Sequence, residues 1–265
     1  MTKTIFITGA TDGIGKLSAE RMAKEEHTLY LHGRNADKLD RLCHELKEKS
    51  QNPNIFGYTA DFSDLNSVKS MAQKMKKELS RIDIIINNAG VFNSPDLHNK
   101  AGLDMRFVVN YLAPFLLTQA LIPLLQKGHE ARIINLSSAA QTTVSEEALN
   151  GNLDLSFNES YAQSKLALTM WSFHLAKIYN DITVIAVNPG SLLNTKMANE
   201  AYGQYWSPAE KGSDIIYDLA LDEKHKAFSG KYFDNDKGMY DDAHPDAYRS
   251  ALIQKLIEAT EPLIA

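Results

Sequence analysis

The stretch that decides the fold is Thr8-Gly9-Ala10-Thr11-Asp12-Gly13-Ile14-Gly15. The run before it, Lys3–Thr8, reads as a strand, and Ile14–Glu25 after it carries helical spacing. A strand that ends in glycines and passes straight into a helix leaves backbone N–H groups at the helix N-terminus, where they can hold a pyrophosphate. Glycine-rich strand–helix turns also occur for purely structural reasons. The spacing here is Gly-x-x-x-Gly-x-Gly, and its place after an N-terminal strand favours dinucleotide binding.

Outward from this turn, short apolar runs alternate with amphipathic segments. Further strands are expected at Thr28–His32, Ile55–Ala60, Ile82–Asn87, Arg132–Leu136, Ile182–Asn188 and, at an edge, Lys231–Asp234. Helices are expected at Asp37–Lys49, from an N-cap at Ser63 through Leu79, and over Gly102–Gln126, Tyr161–Tyr179, Pro208–Leu221 and Ala247–Thr260. Ile82–Asn87 is apolar almost throughout, as in a strand covered on both faces. The alternation predicts an α/β fold: three layers, doubly wound, with a mostly parallel seven-stranded sheet and helices on both faces. No repeat or linker interrupts it, so residues 1–265 read as one domain. Segments 139–160 and 191–207 break the rhythm and are expected to shape a substrate pocket.

Composition narrows the function classes. The chain has 265 residues, 44% of them apolar, and a net charge of −5, which excludes disorder and gives no footprint for nucleic acid. Its one cysteine, Cys43, excludes a disulfide framework and a thiolate zinc cluster. No targeting signal or membrane span is evident, so a cytoplasmic protein without a membrane partner is expected.

The second strand runs into Leu31-His32-Gly33-Arg34-Asn35. A carboxylate there would bind the ribose 2′-hydroxyl of NAD, and none is present. Arg34 offers a planar fork for a 2′-phosphate, which favours NADP(H) with NAD(H) as the other candidate. The alternative is a solvated surface arginine. Asp12 complicates the picture, because an acid in the glycine loop would sit near the same phosphate.

Further motifs fall at the ends of later strands: Asn87-Asn88-Ala89-Gly90, Ser137-Ser138 and Asn188-Pro189-Gly190. Asn110 lies within the long helix, and Tyr161-Ala162-Gln163-Ser164-Lys165 opens another. With the glycine turn and Asp61, this ordered set resembles the short-chain dehydrogenase/reductase family, whose members have a Rossmann fold. The resemblance implies hydride transfer between a nicotinamide and a carbonyl or alcohol, a small-molecule partner. It implies Tyr161 as general acid or base, Lys165 as its partner, and Ser138 as the hydrogen bond to the substrate oxygen, with Ser137 as fallback. It also implies that Asn110 kinks its helix and holds a water leading to the lysine. A free tyrosine has a pKa near ~10, too high for efficient proton transfer at neutral pH. Lys165 lies one turn on, about 6 Å along the helix axis, and its charge would favour the phenolate.

Cofactor residues carry over in the same way. Gly9, Gly13, Ile14 and Gly15 would hold the pyrophosphate, with Asp61 and Phe62 at the adenine. Asn88, Ala89 and Gly90 would line the adenosine ribose. Pro189, Gly190 and Leu192 would shape the nicotinamide pocket, and Thr195 would bind the carboxamide or phosphate. Family members often pair through the helices matching Gly102–Gln126 and Tyr161–Tyr179, so a homodimer or homotetramer is expected.

The chain also departs from the common pattern. Tyr161 follows Ser138 by 23 positions, a longer gap than in many members and similar to the retinol-dehydrogenase-like branch. That branch often carries a membrane-anchoring N-terminus. None is evident here, so the likeness does not imply a retinoid substrate. The insert carries Glu146, Glu147, Asp154 and Glu159 and reads as pocket wall or as a solvated acidic loop. Phe92, Leu193, Met197, Tyr202, Tyr205 and Trp206 are candidates for an apolar pocket. Asp234-Asn235-Asp236-Lys237-Gly238 hints at a calcium loop, but its glycine falls at the fifth place and Pro245 at the twelfth, so no metal is expected. Two other readings remain. One is a non-catalytic NADP-binding sensor or interaction protein, which would usually have lost the tyrosine or lysine. The other is an epimerase or dehydratase of nucleotide-sugars, which would be longer.

Overall fold

Three isoleucines show how the sheet is buried. In β4 (Ile84–Asn87), Ile85 joins the hydrophobic cluster on one face, while Ile84 and Ile86 join the cluster on the other. A strand with helices on both sides needs apolar residues at every position, which is why the run shows no alternation. The structure is a computed structural model that describes residues 2–265, apart from the side chains of Ala201 and Tyr202. Tyr202, named above for an apolar pocket, therefore lies outside the described side chains.

The elements follow in chain order. They are β1 (Thr4–Ile7), α1 (Gly13–Ala23), β2 (Thr28–Gly33), α2 (Ala36–Ser50), β3 (Ile55–Thr59), α3 (Leu65–Glu78) and β4. Next come α4 (Met105–Phe107), a π-helical turn at Val108–Leu112, α5 (Ala113–Leu125), β5 (Arg132–Leu136), α6 (Glu146–Leu149) and α7 (Phe157–Ile178). The chain closes with β6 (Thr183–Asn188), α8 (Lys196–Tyr202), α9 (Ala209–Leu221), β7 (Lys231–Asp234), β8 (Met239–Asp241) and α10 (Ser250–Ile264). The strand order is β3-β2-β1-β4-β5-β6-β7-β8, parallel except for β8. Order reverses between β1 and β4, the switch point where ligands sit in such sheets.

The doubly wound α/β expectation holds, with four differences. The sheet has eight strands, because the supposed calcium loop is a hairpin turn that returns β8 antiparallel to β7, with Gly238 at φ 69°. Asp64, not Ser63, caps α3, accepting from the Asn66 N–H. The helix expected from Gly102 begins at Met105, capped by Asp104, and widens into the π turn centred on Asn110. The helix expected from Tyr161 begins at Phe157, where Ser156 and Glu159 form a reciprocal capping box. Glu159 is thus a helix cap and not part of an acidic loop.

Met105–Leu125 is long and apolar enough to cross a membrane, but 78% of its most apolar 18-residue window is buried inside the structure. One of the two helices expected to pair chains, α7, also carries a helix of its own chain. Helix α10 packs on α7 and the π turn, where the buried Tyr111 hydroxyl lies 2.8 Å from Thr260 Oγ1. The insert packs beside α10: Ala148 and Leu149 enter the core, and Glu146 pairs with Lys255 at 3.0 Å. Asp154 pairs with His98.

Candidate active site

The glycine loop is fixed by the end of β4. Thr8 Oγ1 accepts from the N–H groups of Asn88 and Ala89, each at 3.0 Å, and Asn88 Nδ2 donates to the carbonyls of Thr8 and Gly9. A Cβ at Gly15 would lie 2.4 Å from Asn88 Nδ2, and one at Gly9 would lie 2.8 Å from Ala89 Cα. The glycines are therefore demanded by the contact with Asn88 and Ala89 as much as by any ligand. Gly13 opens the other way, toward the Thr195 methyl group. Asp12 caps α1 by accepting from the Gly13 N–H, and Ile14 follows in the first turn.

Beneath the loop lies His32, which sequence reasoning passed over. Its Nδ1 accepts from the Gly9 N–H at 3.2 Å, and its Nε2 lies 3.0 Å from the Ala60 carbonyl. The ring stacks on Phe62 at 4.2 Å. Burial pulls its pKa down to about 4, against the opposing pull of the Ala60 carbonyl, so the ring is neutral at pH 7. Phe62 is thus a buried support of the loop. Asp61 is exposed beside it, accepting from the Ser63 N–H.

Arg34 stands exposed at the end of β2. A second cation sits nearby that the motif reading missed: Lys38, in the first turn of α2, reaches Asp12 at 2.9 Å. Burial raises the Asp12 carboxyl, but the Lys38 and Gly13 hydrogen bonds bring it below its usual value. The acid that complicated the phosphate site is therefore compensated by its own lysine.

The catalytic candidates meet around Gly90. A Cβ there would lie 3.3 Å from Asn110 Oδ1, 3.6 Å from Lys165 Nζ and 3.7 Å from the Met197 methyl. Lys165 is buried, and its Nζ donates to the Leu136 carbonyl at 2.8 Å and sits 5.5 Å from the Tyr161 ring centre. Desolvation lowers the lysine from 10.5 to about 8. Phe92 packs against Tyr161 with ring centres 5.1 Å apart. Asn110 accepts from the Val91 N–H and donates to the Val91 carbonyl and to Ser164 Oγ. Those bonds occupy its side chain inside the π turn, a distortion common at functional sites.

The two serines differ in direction. Ser137 is buried, with its hydroxyl on the Lys165 carbonyl and Thr169 Oγ1. Ser138 is half-buried, and its hydroxyl oxygen accepts from the Ala140 N–H. On the far rim, Gly190 has φ 127° and Leu192 has φ 46°, a left-handed conformation unusual for leucine. Pro189 and Gly190 are half-buried there, and Thr195 caps α8 through the Ala198 N–H. Leu193 is buried, Met197 faces the Gly90 edge, and Tyr205 and Trp206 are 54% and 72% exposed.

This constellation matches known proteins. The short chain dehydrogenase family model covers residues 3–206. The protein belongs to the short-chain dehydrogenase/reductase family. It lies in the retinol-dehydrogenase-like branch and acts on CH–OH/C=O groups as an oxidoreductase. Mouse retinol dehydrogenase 13 is 34% identical over 88% of this chain and 75% of its own. Human polyprenol dehydrogenase is 28% identical over 89% of this chain and 77% of its own. A short chain dehydrogenase from Escherichia coli CFT073, solved with NADPH, superposes with a TM-score of 0.71 at 27% identity, covering 89% of this chain and 97% of that one. The family binds NAD(P), and the cradle described above fits such a group: two glycines that tolerate no side chain, a helix beginning directly after the glycine turn, and Gly90 leading to a buried ammonium. Among the described residues, no three His, Cys, Asp or Glu side chains are grouped to hold a metal ion.

Proposed function

We propose that this reductase/dehydrogenase uses NADP(H) in preference to NAD(H) and that Tyr161 moves the proton. The observation that carries the reading is the convergence of Asn110, Lys165 and Met197 on Gly90, one helical turn from Tyr161. The bound nicotinamide supplies or takes up the hydride. Tyr161 donates a proton to the carbonyl oxygen in reduction and removes it from the alcohol in oxidation. Lys165 holds positive charge beside the phenol and steadies the phenolate. Ser138 hydrogen-bonds the substrate oxygen as charge builds on it, while Ser137 positions the lysine backbone. The glycine loop with Asn88, Ala89 and Gly90 holds the adenosine half and the pyrophosphate. Pro189, Gly190, Leu192 and Thr195 hold the nicotinamide half, and Asp61 reaches the adenine.

Arg34 and Lys38 support the NADP preference, since Arg34 stands at the end of β2, where a 2′-phosphate would lie, and Lys38 in the first turn of α2 that follows. The substrate is proposed to be a carbonyl or alcohol on a bulky apolar body. Phe92 and Met197 flank the reacting region, and Tyr205 and Trp206 are held open to solvent on the loop beyond Leu192. Names among the relatives, retinol and polyprenol dehydrogenases, are consistent with that class. We read residues 1–265 as one working unit located in the cytoplasm, in keeping with a mean hydropathy of −0.30. Self-association into a homodimer or homotetramer is part of the same reading, with α5 and the part of α7 not covered by α10 as the surfaces to test. The direct test is oxidation of NADPH and NADH with a panel of aldehydes and ketones. Tyr161→Phe is expected to abolish turnover while NADPH still binds. Failure of the wild type to bind either cofactor overturns the reading, and turnover surviving in Tyr161→Phe overturns the mechanism.

A further inference from the structure

The hairpin turn between β7 and β8 is joined to the rim of the cofactor site by a closed set of hydrogen bonds. Asp236 Oδ1 accepts from the Ser191 N–H at 2.9 Å, and its Oδ2 accepts from the Ser191 hydroxyl. Asn188 Nδ2 donates to Asp236 Oδ2 and to Asp234 Oδ1, each at 2.9 Å. The other end of that amide, Asn188 Oδ1, accepts from the Gly190 N–H. Asn235 donates through Nδ2 to the Pro189 carbonyl at 2.8 Å and through its backbone N–H to the Asn188 carbonyl. Every residue from Asn188 to Ser191 is thus tied into this network. The next residue, Leu192, is held at φ 46°, a conformation that a free loop would leave.

Three charged side chains stand around Asp236. Lys211 Nζ lies 3.8 Å from Oδ1, and Asp234 shares the Asn188 amide. Lys237 turns away to Asp241 and lies 4.0 Å from Asp234. A carboxylate with two oxygens accepting three or more N–H and O–H bonds is the one side chain of this size that satisfies such a ring of donors. An amide would place its own NH2 against them.

We propose that Asp236 is a positioning residue for the nicotinamide half of the cofactor site, acting through Ser191 and Asn188 to fix the Pro189–Leu192 backbone. The inference rests on the reading of that segment as the nicotinamide pocket. The adenosine half is held separately, by the glycine loop and Asn88, so the two halves respond differently when the latch is broken.

The test uses two ligands that need no substrate. NADPH carries both halves, and its nicotinamide fluorescence reports the pocket; adenosine 2′,5′-bisphosphate carries only the adenosine half. Asp236→Asn is expected to weaken NADPH about tenfold, the worth of one charge-assisted hydrogen bond. It should also diminish the fluorescence enhancement, while affinity for the bisphosphate changes by less than about twofold. Ser191→Ala removes only the hydroxyl bond and is expected to weaken NADPH by about threefold, with no further loss when combined with Asp236→Asn. The second variant decides the matter if the first does not fold. Unchanged NADPH binding in both variants, or equal loss of both ligands, overturns the inference and leaves the cofactor reading standing. A wild type that binds neither ligand overturns both.

Discussion

Lys165→Met is expected to make the cofactor-free protein more stable at neutral pH and less stable at high pH. Lys165 is buried, its ammonium donates to the Leu136 carbonyl, and desolvation takes it from 10.5 to about 8. A fall of that size means that folding with a charged lysine costs about 3 kcal/mol below pH 8. Methionine has a similar length and no charge, so the substitution removes that cost. It also leaves the Leu136 carbonyl without its donor, which gives back roughly 1–2 kcal/mol. The net gain at pH 7 is about 1–2 kcal/mol, or a few degrees in Tm at about 2–4 °C per kcal/mol for a chain of this size. The sign follows from proton counting. With the native pKa below the unfolded one, the unfolded chain binds more protons between pH 8 and 10.5, so the wild type gains stability as pH rises through that window. Methionine has no such gain. Urea unfolding of both proteins at pH 7 and at pH 10 measures the difference, and all other titrating groups cancel in the comparison. The variant should lead at pH 7 and trail at pH 10, while losing turnover. A difference that does not move with pH would show that the burial of Lys165 carries no electrostatic cost, which would refute the reasoning.

His32 acts with the same sign in a lower window. Its native pKa of about 4 lies below the ordinary value of 6.5, so its contribution is complete above pH 6.5 and drains away between 6.5 and 4, by roughly 3 kcal/mol in total. The stability of His32→Gln should therefore fall less over that range than that of the wild type, as read by urea titration; parallel curves would contradict the assignment. Arg34→Ala and Lys38→Ala should each reduce the ratio of NADPH to NADH affinity, by about tenfold for the removal of one cation from the phosphate. An unchanged ratio in both would remove the structural support for NADP.

What was legible in the sequence was whatever the backbone itself dictates. The glycine turn, the Ile82–Asn87 run and the Tyr161-x-x-x-Lys165 spacing each follow from local sterics or burial, and each stands where it was expected. Less legible were groups whose role depends on partners far along the chain. His32 looked like one residue of a strand end, yet it meets Gly9, Ala60 and Phe62 from separate strand ends. A histidine next to Gly33 in an otherwise apolar strand was the available signal. Lys38 was hidden within a charged helix, and its partner Asp12 lies 26 positions away. β8 was missed because three residues are too few for periodicity to register, although a turn ending in Gly238 preceded them. The packing of α10 on α7 was beyond reach, since the apolar face that buries α10 has the same pattern as one that would bury a second chain.

The separately read motifs also form one connected frame. From Thr8 the hydrogen bonds run to Asn88 and Ala89, and two residues on to Val91, whose N–H and carbonyl are both held by Asn110. Asn110 donates to Ser164 Oγ, and that hydroxyl donates to the Tyr161 carbonyl. The glycine loop and the turn of α7 that carries Tyr161 are thus joined through the 88–91 segment and the π turn, without a ligand bridging them. Such a frame requires a widened turn at Asn110, because the amide must reach Val91 on one side and Ser164 on the other. Its consequence for hydride transfer is geometric. The distance between a reacting carbon and a proton donor tolerates errors of only a fraction of an ångström, and here the loop proposed to seat the cofactor and the backbone proposed to aim the tyrosine are positioned by the same few hydrogen bonds. Asn110, whose side chain is spent on Val91 and Ser164, is the joint of this frame between the 88–91 segment and α7.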